Sequence, residues 1–129
     1  QAPQGAVWTH TKTRMCVNVA AGVSYLHSKN ILHRDLKSSN LMIDSTHAVK
    51  VADLGTATEW STEDSESSNK SMSSISGQAR RLSRVGSPLW IAPEVISSEG
   101  QYNEKCDVWS FGVILCELMT HRDPYTDSL

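Results

Sequence analysis

The spacing of apolar residues predicts a helix near the start of the chain. Between residues 11 and 30, four apolar side chains recur at spacings of four, four and three positions, namely Met15, Val19, Val23 and Leu26. Such spacing places them on one face of an α-helix. Asn30 is the expected end of this helix, because Asn tolerates the left-handed conformation in which helices commonly stop.

Two short runs rich in β-forming residues follow the helix. They cover residues 40–44 and 48–53, and the polar turn "DSTH" joins them, so we expect a β-hairpin. Residues 108–119 form the last element, which is apolar around nearly its whole helical circumference. A helix of that kind is typical of a protein core.

The composition changes abruptly between residues 58 and 84. Within residues 61–76, eight of sixteen positions are Ser and apolar residues are almost absent. Such a stretch buries too little apolar surface to offset the entropy that is lost on ordering. We therefore expect a Ser-rich mobile insertion at 58–84, inside a domain that continues on both sides.

The overall composition excludes several classes of protein. A length of 129 residues suits one domain, and a formal net charge of -2 gives no reason to expect nucleic acid or an anionic membrane as a partner. No apolar run approaches the roughly 20 residues that span a bilayer. Three widely spaced cysteines, Cys16, Cys106 and Cys116, suggest neither a disulfide framework nor a metal site. Reduced thiols of this kind favour a cytoplasmic location.

The tripeptide His-Arg-Asp occurs twice, and the context differs between the copies. The first copy opens the string "HRDLKSSN" at residues 33–40, whereas the second, at residues 121–123, is followed by Pro124. The sequence "DLG" at 53–55 begins thirteen residues after the end of that string, and "APE" follows at 92–94. Only the first copy has these companions, so we interpret it as the chemical site and the second as a coincidence.

The string His-Arg-Asp-Leu-Lys-x-x-Asn, followed in order by Asp-x-Gly and Ala-Pro-Glu, resembles the signature of the protein kinase family. The resemblance implies an α+β fold of the protein-kinase type. Residues 1–129 would form part of its C-terminal lobe, mainly helical with a short catalytic-loop β-hairpin. The implied activity is transfer of the γ-phosphoryl group of ATP to Ser or Thr hydroxyls of a protein substrate, with ATP and Mg²⁺ as cofactors.

The resemblance also assigns roles to four side chains. Asp35 matches the family's catalytic base, and Lys37 matches a cation that contacts the transferring phosphate of ATP. Asn40 and Asp53 match the Mg²⁺ ligands, and Mg²⁺ prefers oxygen donors of this kind. Because a predicted hairpin separates these two residues, both can converge on one ion.

Other matching residues have supporting roles in the family. His33 matches a packed residue, and Gly55 completes the Asp-x-Gly motif. Arg34 matches an arginine that binds a phosphate on the activation segment, with an ordinary ion pair as the alternative. Asp107 matches a buried aspartate that accepts backbone N–H bonds from the catalytic loop, although a helix N-cap is also compatible with it. Glu94 matches a structural acidic residue whose arginine partner would lie beyond the end of this chain.

Sequence details favour a serine/threonine kinase, nearest to the tyrosine-kinase-like group. Lys37 follows the proposed base, and "GSP" at residues 86–88 precedes the Ala-Pro-Glu motif. Ser87 stands where the family has a hydroxyl residue that bridges the substrate loop to Asp35 and Lys37. Leu54 replaces the family's usual Phe, and we expect its packing role to survive because both side chains are large and apolar.

The Ser-rich insertion contains one candidate regulatory site. Ser83 follows two arginines in "RRLSRVGS", as sites of basophilic kinases do, and a phosphate there would add about -1.5 to -2 charges. We expect phosphorylated Ser83 to pair with Arg34, to order the segment and to raise activity. Short basic strings with Ser also arise by chance, and most of the serines are expected to be solvated linker.

Two parts of a kinase are missing from the sequence. It contains no Gly-x-Gly-x-x-Gly loop and no Val-Ala-x-Lys strand, and these supply most of the ATP site in the family. The chain also lacks an initial Met, so we expect a fragment without the N-terminal lobe and the last C-terminal-lobe helices, with little or no activity by itself. Two alternatives remain open: a pseudokinase or scaffold that binds without catalysis, and a truncated lobe whose exposed apolar patch binds a partner.

Overall fold

The computed structural model describes residues 9–60, 88–97 and 103–126. The helices in these ranges are α1 (His10–Ser28), α2 (Pro93–Ser97) and α3 (Lys105–Thr120). The strands are β1 (Ile31–Leu32), β2 (Leu41–Ile43), β3 (Val49–Val51) and β4 (Thr58–Glu59), and two 3₁₀ turns cover Ser38–Asn40 and Pro88–Trp90. Two of the predicted site residues, Ser83 and Ser87, lie outside the described residues.

Helix α1 follows the predicted apolar stripe. Thr9 caps its N-terminus, since its hydroxyl oxygen accepts the backbone N–H of Lys12 at 3.3 Å. Three residues of the stripe are buried in the structure, and these are Val19, Val23 and Leu26. The helix ends at Ser28, and Asn30 adopts a left-handed φ of 55° shortly after it. The predicted helix and its stop are therefore confirmed.

Strands β2 and β3 form the predicted hairpin. They pair antiparallel, with Leu41 opposite Val51. The turn between them is held by Asp44, whose Oδ1 accepts the hydroxyl and the backbone N–H of Thr46 and the backbone N–H of Ala48. These bonds lower the pKa of the Asp44 carboxyl, and the bond from the Thr46 hydroxyl has the largest effect. The polar turn thus fixes the register of the hairpin.

Helix α1 approaches β3 closely at Gly22. A Cβ atom at this position would lie 2.9 Å from Cγ2 of Val51, which is closer than two carbon atoms normally pack. The missing side chain therefore lets the hairpin lie against the helix. Because Val51 ends β3, this contact also positions the residues that follow it, including Asp53.

Strand β1 pairs antiparallel with β4, so that Leu32 lies opposite Thr58 and Ile31 opposite Glu59. The sequence predicts a mobile insertion from residue 58, and the structure corrects its start. Thr58 and Glu59 are ordered because their backbones pair with β1. The predicted insertion from residue 61 to residue 84 lies outside the described residues.

The core lies between α1, the β2–β3 hairpin and α3. Its buried members come from these elements and from the loop before β2: Val19, Val23, Leu36, Val49 and Ile114. Helix α3 faces this core on one side only, since Val108, Trp109 and Met119 are 51%, 44% and 47% exposed. The prediction of a helix buried all round is therefore wrong. The described neighbours of α3, chiefly α1 and the Pro88–Trp90 turn, leave its outer side with an apolar patch.

Helices and two small antiparallel sheets thus combine in an α+β arrangement, as the sequence predicts. The catalytic-loop candidate, residues 33–40, connects the two sheets because it runs from β1 to β2. Among the helices that the structure describes, none is both long and apolar enough to cross a membrane.

Candidate active site

The loop at residues 33–40 carries three of the residues predicted to act in catalysis or metal binding. Oδ2 of Asp35 lies 2.9 Å from Nζ of Lys37. The side-chain amide of Asn40 donates to the backbone oxygen of Asp35 at 2.8 Å and to its Oδ2 at 3.2 Å. One carboxylate oxygen therefore meets both an ammonium and an amide, and the three side chains form a single cluster.

The register of the hairpin brings Asp53 to the same place. The backbone oxygen of Asn40 accepts the N–H of Ala52 at 2.9 Å, and Asp53 is the next residue in the chain. Its carboxylate is exposed, and its Oδ1 accepts the backbone N–H of Gly55 at 3.3 Å. Asn40 and Asp53 thus lie at the same end of the hairpin, because Asp53 directly follows the residue that is hydrogen-bonded to Asn40.

His33 joins the loop to the segment that carries Asp53. The side chain is fully buried; its Nδ1 accepts the backbone N–H of Asp35 at 3.3 Å, and its Nε2 lies 3.0 Å from the oxygen of Ala52. A neutral ring with the hydrogen on Nε2 satisfies both bonds. The packed role that the resemblance implies for His33 therefore has a defined geometry, which braces Asp35 against the end of β3.

Asp107 holds the start of the loop from helix α3. Its carboxylate is 1% exposed. Oδ1 accepts the N–H of Arg34 at 2.9 Å, and Oδ2 accepts the N–H of His33 at 2.9 Å and lies 2.8 Å from Nε2 of His27. The alternative role as N-cap is wrong, because Glu104 occupies the cap and Asp107 is the third residue of the helix. A carboxylate in the first turn still interacts favourably with the helix dipole.

Two site residues have backbones in the left-handed region. Arg34 has φ of 67° and Asp53 has φ of 61°, a conformation that costs a non-glycine residue of the order of 1–3 kcal/mol. The bond from the N–H of Arg34 to Asp107 helps to hold the first of them. Strain of this kind persists where the surroundings fix it, and it is common at functional sites.

Arg34 also contacts the segment after the Asp-Leu-Gly motif. Its Nε donates to the backbone oxygen of Thr56 at 2.6 Å, while the hydroxyl of Thr56 donates to the oxygen of His33 at 3.1 Å. These two bonds tie the loop to the chain that leads into β4. The phosphate partner predicted for Arg34, Ser83, lies outside the described residues.

The sequence profile described as "Protein kinase domain" matches residues 3–128, which is nearly the whole chain. The chain belongs to the protein kinase family. Its α+β arrangement is therefore that of a partial kinase domain, as the sequence predicts, and the loop at 33–40 corresponds to the kinase catalytic loop.

Similar curated proteins are also kinases. Mitogen-activated protein kinase kinase kinase 13 from Homo sapiens is 42% identical over 109 residues, which cover 84% of this chain and 10% of that protein. "Probable serine/threonine-protein kinase drkB" from Dictyostelium discoideum is 42% identical over 120 residues, covering 92% of this chain and 15% of that protein. The chain therefore spans only 10% to 15% of the length of these relatives.

The donor groups at the end of the hairpin fit the Mg²⁺ of the kinase family. The amide nitrogen of Asn40 is bonded to Asp35, which leaves its amide oxygen for a cation, and the carboxylate of Asp53 is exposed. Within the described ranges, no group of three His, Cys, Asp or Glu residues could hold a metal by itself. Mg²⁺ commonly takes one or two protein ligands and completes its shell with phosphate and water.

Two other matching positions differ in how far the structure supports their expected packing. Glu94 is half-buried in the first turn of α2. Leu54 is 51% exposed, so the described residues cover only about half of it, and the packing role expected for it stays a prediction. The segment from 53 to 55 lies at the protein surface, and the core is filled by other residues.

The second His-Arg-Asp copy lies in a surface turn. His121 caps the C-terminus of α3 in a left-handed conformation with φ of 55°, and its N–H donates to the oxygen of Glu117 at 2.8 Å. Its Nε2 lies 2.8 Å from Nζ of Lys12 on α1. The tripeptide therefore ends a helix, whereas the first copy lies in the catalytic loop.

Several residues with contacts to the catalytic loop were not predicted from the sequence. Thr56 bonds to His33 and Glu117 bonds to Ser38, whereas His27 supports the loop indirectly through its contact with Asp107. The one available signal was Glu117, an acidic residue that interrupts an apolar helix near its C-terminus.

Cys106 lies beside Asp107 and is 4% exposed. Burial, and to a smaller extent the negative charge of Asp107, raises the pKa of the Cys106 thiol to about 12. Burial also raises the pKa of the Cys16 thiol. Cys116, by contrast, is exposed on α3.

Iodoacetamide is expected to modify Cys116 well before Cys106 in the folded protein. The reactive species is the thiolate, and the high pKa and burial of Cys106 deprive it of both charge and access. Peptide mass spectrometry after timed labelling measures the order, and urea-unfolded protein, in which both must react, is the control. Equal native rates would contradict the burial of the N-terminal end of α3.

Proposed function

We propose that the full-length protein containing this chain is a serine/threonine protein kinase that transfers the γ-phosphoryl group of ATP to protein hydroxyls. The observation that carries the proposal is the cluster of Asp35, Lys37 and Asn40, joined by contacts of 2.8–3.2 Å at the end of the hairpin that leads to Asp53. Relatives named as protein kinases at 42% identity support it.

In this proposal each side chain of the cluster has one task. Asp35 takes the proton of the attacking hydroxyl, and Asn40 orients its carboxylate through the bond to Oδ2. Lys37 balances the charge of Asp35 at 2.9 Å and faces the transferring phosphate when substrates bind. Mg²⁺, when held by Asn40 and Asp53, would neutralise part of the negative charge of the phosphates.

Three further parts of the proposal rest on the sequence. The hydroxyl specificity is inferred from Lys37 and from the "GSP" string at 86–88. The tyrosine-kinase-like group is inferred from the stretches "SPLWIAPEVI" at 87–96 and "CDVWSFGVILCELMT" at 106–120. The cytoplasmic location is inferred from the unpaired thiols. The ATP site requires a Gly-rich loop and a strand lysine that the chain does not contain, so the proposal concerns the full-length protein.

A second candidate function is that of a binding scaffold without catalysis. The observation that favours it is the apolar patch on the outer side of α3, formed by Val108, Trp109 and Met119. The sequence upstream in the full-length protein separates the two candidates. A Gly-rich loop and a strand lysine there favour the enzyme, and their loss favours the scaffold.

Incubation of the purified full-length protein with γ-labelled ATP, Mg²⁺ and a mixture of proteins tests the proposed function. We expect label on phosphoserine and phosphothreonine after acid hydrolysis, and its loss when EDTA removes Mg²⁺. No label from a protein with an intact Gly-rich loop and strand lysine would show that the enzyme proposal is wrong. Label on tyrosine alone would overturn the substrate class.

A further inference from the structure

The outer edge of β3 faces helix α1. In an antiparallel pair of strands, hydrogen-bonded and non-bonded residue pairs alternate. Asp44 and Ala48 form a bonded pair, in which the N–H of Asp44 donates to the oxygen of Ala48 at 3.0 Å. The next pair, Ile43 and Val49, is therefore non-bonded, and the N–H of Val49 points away from β2.

A side chain of α1 accepts this outward-pointing N–H. Oδ1 of Asn18 lies 3.1 Å from the backbone nitrogen of Val49. Val49 is only 7% exposed, so water has little access and an N–H without a partner would be costly here. Among the described residues the sheet has two strands, and Asn18 provides the acceptor that a third strand would otherwise offer.

The close contact at Gly22 lies one helical turn further along. Gly22 follows Asn18 by four residues, and Val51 follows Val49 by two. Four helical residues rise about 6 Å and two strand residues about 6.6 Å, so the helix and the strand advance together. A Cβ at Gly22 would lie 2.9 Å from Cγ2 of Val51, which leaves no room for a side chain at this second contact.

The two contacts fix the position of β3 along α1, and β3 leads directly to the candidate metal ligands. Ala52 follows the strand and donates its N–H to the oxygen of Asn40 at 2.9 Å. Asp53 comes next, with φ of 61°, so a shift of β3 along α1 moves Asp53 with it. Helix α1 therefore helps to set the distance between the two predicted Mg²⁺ ligands.

We propose that Asn18 and Gly22 are positioning residues for the metal site, and that they set the affinity for Mg²⁺ in the presence of ATP. The proposal rests on the proposed kinase function. Both residues act through β3: Asn18 holds the strand by a hydrogen bond, and Gly22 permits its close approach. Together they fix where Asp53 lies relative to Asn40.

Calorimetric binding of ATP to the full-length protein, with and without Mg²⁺, tests the role of Asn18. Asn18→Leu keeps the approximate size of the side chain but removes the acceptor. We expect the tightening of ATP binding by Mg²⁺ to fall by roughly threefold to tenfold, less than the roughly tenfold to hundredfold typical of residues that hold a metal ligand directly. ATP binding without Mg²⁺ should not change. Asn18→Asp should restore the tightening because a carboxylate oxygen accepts the same N–H, and Ser24→Ala, exposed on the same helix, is the control.

Gly22→Ala tests the second contact, and Val51 offers a compensating change. The added methyl group would lie 2.9 Å from Cγ2 of Val51, so β3 must shift and the tightening by Mg²⁺ should fall. In Gly22→Ala/Val51→Ala that methyl group would instead meet Cβ of residue 51 at 3.5 Å, an ordinary contact, and the tightening should recover. Because alanine is a better helix former than glycine, a loss that Val51→Ala reverses reflects the position of β3 and not a weaker helix.

Hydrogen exchange at Ala52 gives a readout that does not depend on nucleotide. Its N–H donates to the oxygen of Asn40 at 2.9 Å, and its exchange should accelerate in Asn18→Leu and in Gly22→Ala but not in Ser24→Ala. If Mg²⁺ tightens ATP binding in the parent and equally in both variants, the inference alone is overturned. A parent whose ATP binding does not respond to Mg²⁺, with accelerated exchange in the two variants, would instead overturn the proposed function and keep the coupling between α1 and β3.

Discussion

The Asp35→Asn variant of the full-length protein is expected to lower kcat by roughly 10²- to 10⁴-fold, the range that general base catalysis supplies. Asparagine keeps the shape of the side chain and can still accept the amide bond from Asn40, but it cannot take a proton. KM for ATP should change little, because Asp35 is proposed to contact the substrate hydroxyl and not the nucleotide. Steady-state kinetics at saturating Mg²⁺ measure both quantities.

The chain itself offers a matched control for this substitution. Asp123 is the third residue of the second His-Arg-Asp copy, and it is exposed in the turn after α3. Asp123→Asn changes the same residue in the same tripeptide, and we expect the parent rate from it. Equal loss of activity in both variants would contradict the assignment of the catalytic base to the first copy alone.

The Asp107→Ala variant is expected to have the largest effect on stability. It leaves the N–H groups of His33 and Arg34 and the ring of His27 without their buried acceptor. Buried groups without partners cost about 1–3 kcal/mol each, so we expect local opening of the loop to become easier by about 3 kcal/mol, roughly a hundredfold. Hydrogen exchange at the two backbone amides in the full-length protein measures this change.

A milder substitution keeps this prediction testable if the alanine variant does not fold. Asp107→Asn preserves one acceptor, but its amide nitrogen must face a donor. It should therefore speed the exchange of one of the two amides more than the other, whereas Asp123→Asn should leave both unchanged. Equal protection in Asp107→Asn and in the parent would contradict the role of the carboxylate as the anchor of the loop.

Local signals in the sequence predicted α1, the hairpin and the residues of the catalytic loop. The apolar stripe of α1 has helical spacing. The Asp44 side chain accepts a backbone N–H of its own turn, and the string at residues 33–40 is specific for the protein kinase family. Each of these signals depends on residues close together in the chain. Their positions could therefore be inferred without knowledge of the tertiary structure.

Features that depend on tertiary neighbours could not be predicted in the same way. The apolar sequence of α3 suggested complete burial, but burial of Trp109 depends on what packs against it, and it is 44% exposed. Glu117 bonds to residues 79 and 27 positions away, and no periodicity contains that information. The strand at Thr58 was missed because its order comes from pairing with β1, 26 or more residues earlier in the chain.

Calorimetric titration of ATP into the full-length protein, with and without Mg²⁺, tests most directly whether Asp53 holds a nucleotide-bound ion at the end of the hairpin. We predict that Mg²⁺ tightens ATP binding in the parent, in Asp35→Asn and in the exposed-surface control Asp123→Ala, but not in Asp53→Ala. The same tightening by Mg²⁺ in Asp53→Ala as in the parent would contradict the account.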